Sequence, residues 1–317
     1  MRGPEFAQLD PRWNGAAFFI AYTSARLNAN GAWVAYPRES PRASARSYNG
    51  HVTANTYFDL TRTFNAGGPI AALASGQAVV YYRVAIMSKD GDWVIRETAE
   101  ACARVLDILA GRGASYRPGA PLDTRWLAGG WSSHFEFADE KRRRVRCDFF
   151  SRPPRVVPET TDRLFASAAD PLLVVDLESL IRMKRTQRAK DYAVIGELAA
   201  RLPPAQEILL TTDPDRLMQL APEYGAGVTR PAVEAALAGD RDALVVALAR
   251  EQDRLQRVDR ARLTAYAAAA EPYLEAMTRI PADERRLPAA LERVNALAER
   301  LLPFTVDLPE EPDGDAQ

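Results

Sequence analysis

Residues Leu73–Trp93 read LASGQAVVYYRVAIMSKDGDW, and the reading of this stretch decides the fold. It holds a small-residue pair, Ser75-Gly76, an apolar run rich in aromatics, and two aspartates, Asp90 and Asp92, on either side of Gly91. Taken alone, Asp-Gly is a turn signal. Trp93-Val94-Ile95 reads instead as a strand, and residues i and i+2 of a strand project to one face, so Asp90 and Asp92 would point together. Two adjacent carboxylates are costly unless a proton or a cation neutralises them, and an oxygen-rich site of this kind suits Mg²⁺ or Mn²⁺.

Working outward, IAALASGQAVVYYR (70–83) is expected to form a helix after a Gly-rich turn, and DWVIRE a strand. In TAEACARVLDILAGRG, Ala99, Cys102, Val105, Leu106 and Leu109 recur at helical spacing, with Gly111 as the C-terminal stop. SHFEFAD and RRVRCDFFS read as antiparallel strands joined by the charged turn ADEKRR. Asp148 lies in the middle of the second, among apolar and β-branched neighbours, where a charge needs a partner. If that strand neighbours DWVIRE, three carboxylates converge, the arrangement that holds two divalent ions ~3.5–4 Å apart. PLLVVDLESLIRMKRTQRAKDYAVIGELAARLPP predicts a buried strand, a helix opening around Asp176, and a second helix ended by Pro203-Pro204.

The fold class expected is α/β, a mixed sheet flanked by helices, with an all-helical C-terminal domain. The boundaries expected are an irregular N-terminal arm over 1–65, a catalytic domain over 66–204, a helical domain over 205–304 and an acidic tail over 305–317. The arm has turn formers and arginines but no sustained period, and its opening MRGPEF has the look of vector-derived residues.

Composition narrows the function. A net charge of −1 advertises no nucleic-acid partner, so any such contact needs a local patch. No apolar run approaches a membrane span and no secretory signal opens the chain, so a cytoplasmic protein is expected. Two cysteines outside any CxxC pair exclude a thiolate zinc site, and two histidines exclude an HExxH site. Only four of 41 basic residues are lysine (Lys89, Lys141, Lys184 and Lys190), which marks them as candidates for a role arginine cannot fill.

In its ordered motifs the chain resembles the DNA polymerase β-type nucleotidyltransferase superfamily, and within it the minimal bacterial and abortive-infection toxin-like members. Ser75-Gly76 stands where the family has Gly-Gly or Gly-Ser. Thirteen residues (77–89) separate it from the Asp-x-Asp of Asp90 and Asp92, and Asp148 matches the third carboxylate on a later strand. VVDLESLIRMKRTQRAKDYAVIGEL is similar to the closing helix pair, with Lys184, Lys190 and Asp191 at its recurring positions.

The resemblance covers residues 67 to about 202 and implies Mg²⁺- or Mn²⁺-dependent transfer of a nucleoside monophosphate from an NTP to a hydroxyl acceptor. That acceptor would be a small molecule, RNA or a protein, and toxin–antitoxin systems belong to the same range. It implies Asp90, Asp92 and Asp148 as catalytic metal ligands, with Asp148 also deprotonating the acceptor. Ser75, Gly76, Lys89, Lys184 and Lys190 would hold the triphosphate. Two departures stand out: Ser75 for glycine, tolerable with a negative φ, and Gly91 for an apolar residue, which weakens the strand or marks a bulge. The alternative is a nucleotidyltransferase-like module that binds nucleotide or a partner protein through its C-terminal helices without turnover.

Other residues carry simpler expectations. His134 reads as a strand-face histidine, Trp126 and Trp131 as packing residues that border a base pocket at most, and Arg142–Arg144 as a solvated turn. Glu136 reads as a cross-strand ion-pair partner and Asp191 as an orienter of Lys184. Ser132 and Ser133 lack a sequence partner for a nucleophile triad.

Overall fold

The computed structural model describes residues 55–166 and 170–308. Five strands form one mixed sheet in the order β1-β2-β5-β4-β3, where β1 is Ala71–Ala74, β2 Gly91–Ile95, β3 Ser115–Tyr116, β4 Ser133–Ala138 and β5 Arg144–Phe150. β1 runs antiparallel to β2, β2 parallel to β5, and β4 antiparallel to both β5 and β3. The parallel β2/β5 step sets Gly91 opposite Cys147 and Asp92 opposite Asp148. Because side chains alternate, one face of this pair then carries Trp93, Cys147 and Phe149 and the other carries Asp92 and Asp148.

The apolar face is covered by α1 (Thr56–Asn65), α3 (Ala99–Gly111), the C-terminal end of α11 (Arg241–Thr278) and α12 (Ala290–Leu301). Trp93 stacks on Phe149 at 5.3 Å between centroids, and Phe64 meets both rings edge-on. On the opposite face, α2 (Ser75–Tyr81), α5 (Pro158–Ala166), α6 (Leu177–Lys184) and α7 (Ala189–Ala199) pack on Ala72, Ala74, Val94 and Phe150. A third small core joins α8 (Pro204–Leu210), α9 (Pro214–Tyr224), α10 (Pro231–Leu237) and the start of α11. The short α4 (Thr124–Ala128) buries Trp126 and Leu127. The architecture is thus a mixed α/β N-terminal part followed by an all-helical C-terminal region. Trp126 Nε1 donates to Leu302 O at 3.3 Å and Trp131 Nε1 to Pro303 O at 2.9 Å, so the end of the helical region is stitched onto the sheet's own core. Among the described residues, no helix is long and apolar enough to cross a membrane.

Several expectations change. The helix foreseen over 70–83 is a strand followed by a seven-residue helix, because Ala71–Ala74 is buried throughout and pairs with β2. The strand foreseen in PLLVV is a single parallel bridge, Val174 to Leu73. Residues 55–65, read as part of an irregular arm, hold α1: Asn55 Oδ1 caps it, and Tyr57, Leu60 and Phe64 are buried at helical spacing. Residues 1–54 lie outside the described residues, as does 309–317 of the acidic tail. The β4/β5 hairpin and α3 form as expected, although the left-handed glycine after α3 is Gly113 (φ 66°).

Candidate active site

The loop before β2 is held from behind by α1 and α2. Tyr57 Oη donates to Lys89 O at 2.5 Å, Gln77 Nε2 donates to Ser88 O at 2.8 Å, and Asn55 Nδ2 donates to Gln77 Oε1 at 3.1 Å. Two contacts on the consecutive residues Ser88 and Lys89, with Asn55 holding Gln77 in place, fix where Asp90 and Asp92 emerge. The Gly91 irregularity now has a cause. A Cβ at Gly91 would stand 2.4 Å from both Tyr57 Cδ1 and Trp93 Cη2, so only glycine lets those rings close over the strand. The register through Gly91 and Asp92 is continuous, and the bulge expected there is absent.

Asp90, Asp92 and Asp148 are all buried. Burial, reinforced by the neighbouring Asp148 carboxylate, pushes Asp92 up to about 8. Burial also raises Asp90, with the Arg146 guanidinium opposing the shift. Arg146 precedes Asp148 by two residues on β5, shares its face, and lies 3.4 Å from Asp90 Oδ1. Asp148 Oδ1 accepts from Arg117 Nη1 at 3.0 Å. His134, the register partner of Asp148, brings Nδ1 to 2.9 Å from the same oxygen, out of line for a well-formed hydrogen bond. The carboxylates are therefore drawn toward the protein's own cations. Among the described residues, no group of three or more histidine, cysteine, aspartate or glutamate side chains is gathered for a metal ion.

Cations flank the other side. Lys184, at the end of α6, is buried, which depresses its ammonium, while the Asp191 and Asp92 carboxylates counter that shift. Arg188 precedes α7, and burial lowers it too. Its Nε lies 3.7 Å from Asp191 Oδ2, and its two terminal nitrogens are buried without a hydrogen-bond partner. These buried guanidinium nitrogens keep donor capacity beside the Asp191, Asp92 and Asp259 carboxylates.

The expected site residues divide accordingly. Asp92 and Asp148 stand in register with Lys184 near Asp92, but Asp90 is turned to Arg146 and the three carboxylates expected as metal ligands are not gathered as one set; Ser75 and Gly76 are buried at the β1–α2 junction. Ser75 has φ 50°, in the left-handed region, so the negative φ that would have excused its replacement of glycine is not met. Lys89 and Lys190 are exposed, Lys190 on the first turn of α7. Asp191 is buried and accepts from Thr186 Oγ1 at 2.9 Å. Glu136 pairs across the strands with Arg144, as expected.

Sequence reasoning missed Arg117, Arg146 and Arg188, and it did not foresee that Ser132 stands near His134. Ser132 Oγ lies 3.5 Å from His134 Nε2, on the ring side away from Asp148, but a nucleophile triad is not formed. The Ser132–His134 link is at the outer limit of a hydrogen bond and the His134–Asp148 link is misaligned. Only Arg146 left a signal, at i−2 from Asp148 on a strand.

Beside the carboxylates opens a cavity of about 90 Å³, bordered by Asp92, His134, Asp148, Trp131, Tyr266 and Arg262 among others. Comparison of the chain with protein-family models, curated proteins and solved structures finds no match.

Proposed function

We propose that the chain is a metal-dependent nucleotidyltransferase, moving a nucleoside monophosphate from an NTP to a hydroxyl acceptor with release of pyrophosphate. The observation that carries this reading is the register pairing of Asp92 with Asp148 beside the buried Lys184 and the half-buried Arg188. Carboxylates on one side and cations on the other complement a metal-bound triphosphate.

The donor chemistry fits Mg²⁺ or Mn²⁺: Asp92 and Asp148 would hold the ion, joined by Asp90 once released from Arg146. The ion would supply positive charge against the phosphoryl oxygens. Lys184 and Arg188 bind the triphosphate tail in this reading. The small Ser75-Gly76 pair allows phosphate to approach the backbone at the start of α2. Asp148 accepts the proton of the acceptor hydroxyl, which enters from the cavity bordered by Trp131 and Tyr266. The acceptor is a small molecule, RNA or a protein.

The Arg117–Asp148 ion pair favours a second reading, a nucleotide-binding module without turnover, because Arg117 already supplies Asp148 with a cation. Titration calorimetry with each of the four NTPs and Mg²⁺ tests what both readings share. At least one nucleotide should bind saturably to the wild type and lose most of its affinity with EDTA or in Lys184→Ala. Failure of every NTP to bind contradicts both.

A further inference from the structure

We infer that Asp259, on the long helix α11, is a positioning residue for the cations Lys184 and Arg188, fixing the loop that presents them beside Asp92. This rests on the nucleotidyltransferase reading and extends it to a residue outside every motif that suggested it. Asp259 is 2% exposed in the interior of a 38-residue helix, and a carboxylate is rarely so buried without partners. One oxygen, Oδ2, accepts from the Gln187 backbone N–H at 3.0 Å. The other, Oδ1, faces Arg262 Nη2 at 3.3 Å, one turn along the same helix, and Arg155 Nη2 at 3.8 Å. Arg155 Nε in turn donates to Arg182 O, near the end of α6. Asp259 thus reaches both the end of α6 and the loop that follows it.

That loop, residues 185–188, is also held at its start by Arg185 Nη2, which donates to Leu210 O on α8 at 3.2 Å, and further along by its own neighbours. Thr186 Oγ1 donates to Asp191 Oδ2 at 2.9 Å and accepts from Arg188 N at 3.2 Å. The Gln187 N–H is a direct bond from this loop to the helical C-terminal region, and it sits one residue from Arg188 and three from Lys184. Loss of that bond loosens the loop at Gln187, between Lys184 at the end of α6 and Arg188, while both cations themselves remain.

Two substitutions separate positioning from charge. Asp259→Asn keeps an oxygen for the Gln187 N–H and removes a negative charge near Arg188, so the Mg·NTP that wild type binds should bind as tightly or more tightly. Asp259→Ala removes the bond and should weaken binding of the same Mg·NTP about tenfold, the equivalent of ~1.4 kcal/mol. Should Asp259→Ala not fold, Gln187→Pro deletes the N–H, while also fixing φ at 187 and restricting Thr186, at a half-exposed loop position, and should show the same weakening. Calorimetry on the full chain reads all of these, with Asp253→Ala, at an exposed position of α11, as the unaffected control. Equal affinity in wild type and Asp259→Ala, or equal weakening in the Asn and Ala variants, overturns the inference and leaves the nucleotidyltransferase reading standing. A wild type that binds no Mg·NTP overturns both.

Discussion

Asp92 and Asp148 face each other across the parallel β2/β5 pair, both buried, with Arg117 on Asp148 and Lys184 on the Asp92 side. Two carboxylates in register inside a protein store electrostatic cost, and that cost has a measurable pH dependence. Burial and Asp148 raise Asp92 to about 8. Between the ordinary carboxylate range and that value the folded state keeps a proton that the unfolded chain releases. Stability therefore falls as pH rises from about 4 to about 8. Asp92→Asn removes this loss. The variant should match wild type near pH 4 and exceed it at pH 8.5 by on the order of 1–3 kcal/mol in urea unfolding. An equal difference at both pH values would contradict the assignment.

Arg117 tests whether Asp148 accepts a metal ion. Removing one partner of a buried ion pair costs about 3–5 kcal/mol, and Arg117→Ala should lower stability by roughly the lower end of that range because the side chain is 11% exposed. Mg²⁺ should then recover part of the loss, since it replaces the missing cation. Thermal melting with and without Mg²⁺ reads this directly, and an unchanged midpoint in the variant would argue that Asp148 is not a metal ligand.

At Gly91 the closure of Tyr57 and Trp93 leaves no room for a side chain. Gly91→Ala should destabilise the fold by about 1–3 kcal/mol, the usual effect of forcing an atom into a packed core. A neutral result in denaturant unfolding would mean that the two rings yield easily.

Ser75 pays for its φ of 50° with left-handed strain worth about 1–2 kcal/mol. Ser75→Gly should gain about 1 kcal/mol, the rest being offset by the greater freedom of glycine in the unfolded chain. If the serine hydroxyl touches the triphosphate, the same variant will bind Mg·NTP more weakly, so stability and affinity move in opposite directions.

The carboxylates were legible because a charge inside an apolar strand is conspicuous: Asp148 in RVRCDFF and Asp92 before WVI each announce themselves. The β4/β5 hairpin was legible from alternation and its charged turn. β1 was not, because AALA is buried on both sides and small residues carry no period. α1 was passed over because its signal rests on Asn55 and three apolar residues beside a long stretch without pattern. Arg117 and Arg188 sit beside regular elements, and nothing local says which way a guanidinium turns. Asp259 is the extreme case, a single acid in the polar-looking LQRVDRARL whose partner is a backbone N–H 72 residues away.

Nucleotidyl transfer is read out by incubation with α-³²P-labelled NTPs, Mg²⁺ or Mn²⁺, and a cell extract separated into RNA, protein and small-molecule fractions. Label should appear in one fraction, with pyrophosphate released, and be lost in Asp92→Asn and Asp148→Asn while both variants remain folded. Transfer that persists in those variants would put the chemistry elsewhere. A wild type that binds Mg·NTP yet labels no fraction would contradict the catalytic claim and leave a binding module.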